Sequence, residues 1–188
     1  MKAVIFDCFG VLTREGWFNF RDVYFGNDPG KRDQAGAALR QMNLGLINHD
    51  DFLEELARLA GVEKQDVRDI DESVPDEKLF GYIEKELKPY YKIGMLSNAG
   101  GDWTEKLFGA KRAALFDEVV LSYQMGTVKP DPLMYQTIAD RLGVLPEECV
   151  FVDDQERHCD GARRVGMKTV FHADTDKTIA RIEELLHA

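Results

Sequence analysis

Asp7 stands where the apolar run Val4, Ile5 and Phe6 stops, and Gly10 lets the chain turn away just beyond it. Burying an unpaired carboxylate at such a place is costly, so Asp7 requires a metal, a cation or a row of backbone donors nearby. Ser97 with Asn98, then Lys129, then the pair Asp153 and Asp154 follow later apolar runs or the loops after them. Three carboxylates, of which at least two face a common point, make an oxygen-rich site suited to Mg²⁺, which keeps several waters and is completed by substrate phosphate. Ser97, Asn98 and Lys129 add hydrogen-bond donors and a positive charge suited to holding phosphoryl oxygens as charge redistributes.

These residues converge only if the elements before them are neighbouring strands of one sheet. Val4 to Phe6 has the β-branched and aromatic content of a buried parallel strand. Further strands are expected over Tyr91 to Leu96, Glu118 to Ser122, Cys149 to Val152 and Met167 to His172. Helices are expected between and after them, over Trp103 to Phe108, Leu133 to Leu142, Glu156 to Val165 and Thr175 to Leu186. Strand and helix in alternation predict an α/β fold, a three-layer doubly wound parallel sheet of Rossmann-like type with helices on both faces. In such a sheet the carboxyl ends of the strands lie along one edge, where ligands bind.

No strand pattern occurs between about Arg14 and Lys88. Helices are expected over Gln34 to Met42, Asp51 to Ala60 (capped by Asn48 or Asp50), Lys64 to Ile70 and Pro75 to Leu87, and Asn27 to Lys31 reads as a turn. The division expected is residues 1–13 and 89–188 as the α/β core and 14–88 as a small all-helical cap, hinged after Leu12 and near Pro89. Trp17, Phe18 and Phe20 fit equally an entrance that touches substrate and a packed interior.

Asp7 in DCFGVL, Ser97 in LSNAG, Lys129 in VKPDP and Asp153-Asp154 in FVDDQERHCDGA resemble, in order, spacing and strand-end placement, the four motifs of the haloacid dehalogenase-like hydrolases. The resemblance covers nearly the whole chain. It implies that Asp7 is a nucleophile forming a covalent aspartyl-phosphate that water hydrolyses, with Ser97 and Lys129 as its catalytic partners. Ser97, Asn98 and Lys129 would bind the substrate, and Asp7, the Phe9 carbonyl, Asp153 and Asp154 would hold Mg²⁺. The function implied is a Mg²⁺-dependent phosphatase acting on a small phosphorylated metabolite.

Phe9 departs from that pattern. Phosphatases resembling this chain carry a second Asp two residues after the nucleophile as general acid/base, and losing it costs roughly 100- to 10,000-fold in rate. A weakened activity is therefore expected, with His158, His49, Glu15 or a water held by Asp153 as candidate substitutes. An aromatic at this place resembles the 2-haloacid dehalogenase branch, as does Tyr135, so carbon–halogen hydrolysis is one alternative. The fourth motif opposes it, since two further acids near Asp7 would repel a carboxylate substrate unless a cation is present. A phosphate-binding regulatory module with a decayed site is another alternative. Cys8 and Arg14 also stand in the C-x5-R spacing of cysteine phosphatases, although Phe9, Val11 and Leu12 between them suit an anion cradle poorly.

The chain of 188 residues suits one domain with a modest insertion, and its net charge of −10 argues against broad attraction to nucleic acid or anionic membrane. No apolar run approaches the roughly 20 residues that span a bilayer, and the opening residues lack a signal-peptide pattern. A cytoplasmic protein, monomeric or weakly dimeric, is the expectation. Cys8, Cys149 and Cys159 are read as reduced thiols packed like small apolar residues.

Overall fold

The computed structural model describes residues 1–13, 17–67 and 74–187. Strand β1, Ala3–Phe6, is wholly buried and pairs in parallel with β2, Lys92–Ser97, on one side and β4, Cys149–Asp153, on the other. With β3, Glu118–Leu121, beside β2 and β5, Lys168–Phe171, beside β4, the sheet is parallel throughout in the order β3-β2-β1-β4-β5. The two outer neighbours start and stop within a residue or two of the expected strands. Pairing decides the ends: Ser97 lies opposite Leu121 and Asp153 opposite Phe171, so both residues belong to the strands rather than to the loops after them.

Side chains alternate between the two faces, as a strand requires. Val4 and Phe6 pack on one face with Leu79, Phe80, Ile83, Phe108 and Ile182, whereas Ala3 and Ile5 pack on the other with Met134, Tyr135, Ile138 and Ala162. The first set comes from α5, Glu77–Tyr82, its continuation Ile83–Leu87, α6, Thr104–Ala113, and α10, Thr175–His187. The second comes from α8, Pro132–Leu142, which follows the short α7, Ser122–Met125, and from α9, Glu156–Arg164. Each large apolar side chain removed from water in this way contributes roughly 1.5–3 kcal/mol, and the outcome is the three-layer arrangement expected.

A third apolar cluster joins α1, Trp17–Phe25, α2, Pro29–Asn43, α3, His49–Ala60, and the short α4, Lys64–Val67, through Trp17, Phe25, Met42, Phe52, Leu56 and Val67. Helix α1 was not expected as a helix, and α2 begins within the segment read as a turn. Asp28-Pro29-Gly30 serves both purposes, because the Asp28 carboxylate accepts from Lys31 N–H at 3.0 Å as an N-cap and Pro29 takes the first helical position. Asn48, not Asp50, caps α3, in a reciprocal capping box with Asp51. The remainder of the helix expected over Lys64 to Ile70 lies outside the described residues, as do Arg14 and Glu15.

The segment that packs as a separate helical cluster is shorter than 14–88. Asp76 N–H donates to Leu12 O at 2.9 Å and Thr13 pairs antiparallel with Pro75, so the two chain crossings lie side by side there rather than near Pro89. Helix α5 and its continuation then pack under the sheet with Val4, Phe6 and Ile93. We therefore place the second boundary of the helical segment before residue 77.

Helix α9 approaches α8 closely at Gly161, where an added Cβ would stand 2.7 Å from both Pro130 Cβ and Tyr135 Oη. Gly161→Ala is expected to lower stability by about 1–3 kcal/mol through overpacking. Urea unfolding of the two proteins checks this, and an unchanged midpoint would refute it.

Candidate active site

Asp7, Asn98, Lys129 and His158 come together on the floor of a cavity of about 850 Å³ at the carboxyl edge of the sheet. Lys129 Nζ lies 2.8 Å from Asp7 Oδ1 and 2.7 Å from Asp153 Oδ2, with all three side chains buried. Burial alone would lower the Lys129 ammonium, but the Asp153 and Asp7 carboxylates outweigh it and keep the amine charged. Burial likewise pushes Asp153 up, and Lys129 and His158 overcome it to hold that carboxyl well below the usual range. Asp7 is raised well above its ordinary value by burial, against the pull of Lys129 and with the added push of Asp153 and Asp154. One ammonium thus secures the ionised form of Asp153 and does not suffice for Asp7.

The loops hold this arrangement from behind. Cys8 N–H donates to Asp7 Oδ1 at 2.7 Å and Gln155 N–H to Asp153 Oδ1 at 2.8 Å. Asn98 is occupied by the lysine loop: its Oδ1 accepts from Lys129 N–H at 2.8 Å and its Nδ2 donates to Lys129 O at 3.3 Å. Asn98 therefore positions Lys129 as well as lining the cavity. His158 Nδ1 is 3.0 Å from Asp153 Oδ1, an ionised acceptor that fixes the ring proton there and leaves Nε2, buried and without a partner, as an acceptor. Tyr135, expected as a possible mark of dehalogenase chemistry, is fully buried outside the cavity and donates its hydroxyl to His158 O at 2.9 Å. Its place is behind the site.

Ser97 is buried at the end of β2, and its hydroxyl has no partner among the described residues. It borders a void of about 10 Å³ with Cys8, Phe9 and Trp103, next to the main cavity rather than on its lining. Phe9 reaches the main cavity and packs edge-on to Trp103 with ring centroids 6.3 Å apart. His49 meets Trp103 edge-on with ring centroids 5.1 Å apart, and the two candidate proton carriers within the described residues, His158 and His49, both line the cavity. Trp17 lines it too, Phe20 packs inside the helical cluster, and the side chain of Phe18 is outside what is described. Cys8 is buried in the core cluster, and none of the three cysteines is in a disulfide. Its partner in the C-x5-R spacing, Arg14, lies outside the described residues.

The donor set can be tested for a cation. Asp7, Asp153 and His158 offer ligand atoms within 4.8 Å of one another. The ammonium of Lys129 serves both of those carboxylates at ion-pair distance, which satisfies Asp153 but leaves Asp7 raised. Asp154 is different. Its Oδ1 is buried with no partner, its carboxylate covers Gly10, where an added Cβ would stand 2.5 Å from Oδ2, and burial followed by repulsion from Asp153 pushes its carboxyl up to about 6. Gly10 has φ +87°, so position 10 excludes a side chain both by backbone and by space. An orphaned carboxylate oxygen and a raised Asp7, both short of positive charge, fit a divalent cation with oxygen ligands.

A parallel sheet whose central strand ends in a lysine-bound carboxylate, with a helical segment inserted directly after it, defines a class of doubly wound α/β hydrolases. Within that class the chain belongs to the haloacid dehalogenase-like hydrolases, whose family model matches residues 1–166. A phosphatase of Mycobacterium tuberculosis is 34% identical over 199 aligned positions, covering 89% of this chain and 85% of that protein. Bifunctional epoxide hydrolase 2 of Sus scrofa is 37% identical over 70 residues, but the match takes in 37% of this chain and only 13% of that protein. A HAD family enzyme of Bacteroides thetaiotaomicron, crystallised with magnesium and inorganic phosphate, superposes with a TM-score of 0.70 at 26% identity over 91% of this chain and 93% of that one. The chain is a hydrolase, and magnesium occurs in its family. No helix among the described residues is long and apolar enough to cross a membrane.

The raised Asp154 has a consequence for stability. With its carboxyl at about 6 in the folded chain and about 3.9 when unfolded, the folded state binds more protons between those values, so stability falls as pH rises through that window. Asp154→Asn removes this contribution. Urea unfolding between pH 4 and 7, without metal, is expected to give a flatter or rising profile for the variant than for the wild type. Parallel profiles would contradict the raised carboxyl.

Proposed function

We propose that the protein is a Mg²⁺-dependent phosphatase of small phosphorylated metabolites that works through an aspartyl-phosphate on Asp7. The observation that carries this reading is the buried Asp7–Lys129–Asp153 chain at the cavity floor, with the unpartnered Asp154 oxygen beside it. Similarity to a phosphatase along most of the chain and to an enzyme crystallised with magnesium and phosphate supports it.

In the proposed reaction an Asp7 carboxylate oxygen attacks phosphorus while the bond to the leaving oxygen breaks, and water then cleaves the acyl-phosphate. Asp7, Asp154 and the Phe9 carbonyl would hold Mg²⁺, with Asp153 supporting them from its place on Lys129. When bound, the ion would supply positive charge that favours the ionised form of Asp7 and offsets the phosphoryl charge. Lys129, fixed by Asp153 and by the Asn98 amide, stabilises the charge developing on the transferring group, and the Ser97 hydroxyl, which has no partner among the described residues, donates to a phosphoryl oxygen. Phe9 transfers no proton, so departure of a basic leaving group is the slow part. The helical segment closes the cleft against water as a cap hinged at residues 12–13 and 75–76.

Carbon–halogen hydrolysis is the second reading, favoured by Phe9 and its contact with Trp103 in place of a carboxylate. A panel of phosphate monoesters and 2-haloacids, each with and without Mg²⁺, separates the two. Ester turnover that needs Mg²⁺ and disappears in Asp7→Asn is expected. Metal-independent haloacid turnover in place of ester turnover would refute the phosphatase.

Phe9→Asp extends the test. It is expected to raise turnover of an ester with a basic leaving group by up to roughly 100- to 10,000-fold, and that of a nitrophenyl ester by less. A variant that melts like the wild type and gains on neither ester removes the account of Phe9.

A further inference from the structure

Away from Asp7 and Lys129 the cavity is lined by five cationic side chains, Arg21, Arg32, Arg40, Lys106 and Arg157, against the single carboxylate of Asp33. The chain as a whole carries a net charge of −10, so this concentration of positive charge runs against its composition. Part of it is neutralised: Asp22 lies 2.8 Å from Arg21 and 3.4 Å from Arg32. Among the described residues no ion pair is made by Arg40 or Lys106, and the Arg157 guanidinium donates only to its neighbour Gln155, at 3.0 Å.

Helix α2 presents the charge in an ordered way. Arg32, Gly36, Arg40 and Asn43 fall at i, i+4, i+8 and i+11 and all four line the cavity, which is one face of a helix turning about 100° per residue. Gly36 interrupts that face. Glycine inside a helix costs about 1 kcal/mol relative to alanine, and here an added Cβ would meet nothing within 4 Å. No close packing within the protein explains it, and it keeps the space between the two arginines open. At the end of the same face Asn43 Oδ1 is buried, with no hydrogen-bond partner among the described residues.

We propose that the substrate is a phosphomonoester whose leaving group carries a second anionic group, a carboxylate or phosphate, bound by Arg40 of α2 and Lys106 of α6, the lining cations that make no ion pair among the described residues. This rests on the phosphatase reading for the identity of the reacting end. The reacting phosphoryl group lies at Asp7 and Lys129 on the cavity floor, so Arg40 and Lys106 serve the other end of the molecule. Asn43 Oδ1 accepts from a hydroxyl or amine on the body between the two ends, and the aromatic side chains of Phe52 and Trp103 flank that body.

The test compares alkyl phosphates with ω-carboxyalkyl phosphates of the same length, and alkylphosphonates with ω-carboxyalkylphosphonates, which the enzyme cannot hydrolyse. The carboxylate-ended ester is expected to have kcat/KM roughly tenfold or more above its methyl-ended counterpart at low salt, the scale of one charge-assisted hydrogen bond. Calorimetry with Mg²⁺ present should show the same preference between the phosphonates. Arg40→Gln and Lys106→Gln should each shrink the ratio several-fold, through KM rather than kcat. Gly36→Leu should raise KM while leaving the melting temperature at or above that of the wild type.

Equal kcat/KM and equal phosphonate affinity for the two kinds of tail, in a protein whose ester turnover depends on Asp7, would overturn the second-anion site and leave the phosphatase standing. Preferential binding of the carboxyalkylphosphonate, abolished by Arg40→Gln, in a protein that turns over no ester would do the reverse.

Discussion

Everything at the sheet edge depends on one buried ammonium. Lys129 Nζ bridges Asp7 and Asp153, from two adjacent strands, without access to water. Removing one partner of a buried pair costs about 3–5 kcal/mol because the other charge is left uncompensated, so the three side chains are mutually obligatory. The bridge also sets how much negative charge remains. With Asp153 satisfied by Lys129, His158 and Gln155 N–H, the deficit falls on Asp7 and Asp154. That deficit is what makes a further cation chemically reasonable, and it arises from burial rather than from the number of acids in the chain.

The supporting contacts keep the lysine from choosing another rotamer or another depth. Asn98 grips the backbone of Lys129 from the end of β2, and Tyr135 on α8 holds the first turn of α9 through His158 O. Gly161 lets those two helices approach closely enough for the tyrosine to reach. Three loops separated by long stretches of sequence are therefore fixed against one another before any ligand arrives, which is the preorganisation electrostatic catalysis requires. The helical segment is joined to this edge at the paired crossings near Leu12 and Asp76, and again where the Ser122 hydroxyl donates to Asn43 O at the end of α2.

The sheet and its edge were legible because a buried parallel strand is a short run of β-branched and aromatic residues, and the polar residue that stops it is conspicuous. Asp7, Asp153 and the alternation of strand and helix followed from that pattern, whereas Lys129 was read in the loop after the third strand. The layer to which a helix belongs does not follow. Leu79, Phe80 and Ile83 give α5 an apolar face, but nothing in the residues says whether it packs under the sheet or inside the helical segment. Long-range partners were equally hidden. The use of the Asn98 amide on Lys129 O and N–H, the exclusion of Tyr135 from the cavity and the shared Asp153–His158 bond are properties of three-dimensional packing. The cationic face of α2 carried a signal, Arg32, Gly36 and Arg40 at helical spacing, but reading it needed the knowledge that this face meets the cavity.

Phe9 shows that holding a phosphoryl group and moving a proton are separable tasks in this architecture. Position 9 lies in a loop shaped by Cys8 O, which accepts from both Leu12 and Thr13 N–H, and that shape depends on the backbone alone. The aromatic side chain is accommodated by Trp103, so replacing a carboxylate there leaves the Asp7–Lys129–Asp153 bridge intact and places no added charge beside it. An extra carboxylate would deepen the charge deficit that already raises Asp7 and Asp154. An aromatic relieves it, at the expense of proton transfer. The contact of Phe9 with Trp103, and of Trp103 with His49, then makes that side of the cavity aromatic.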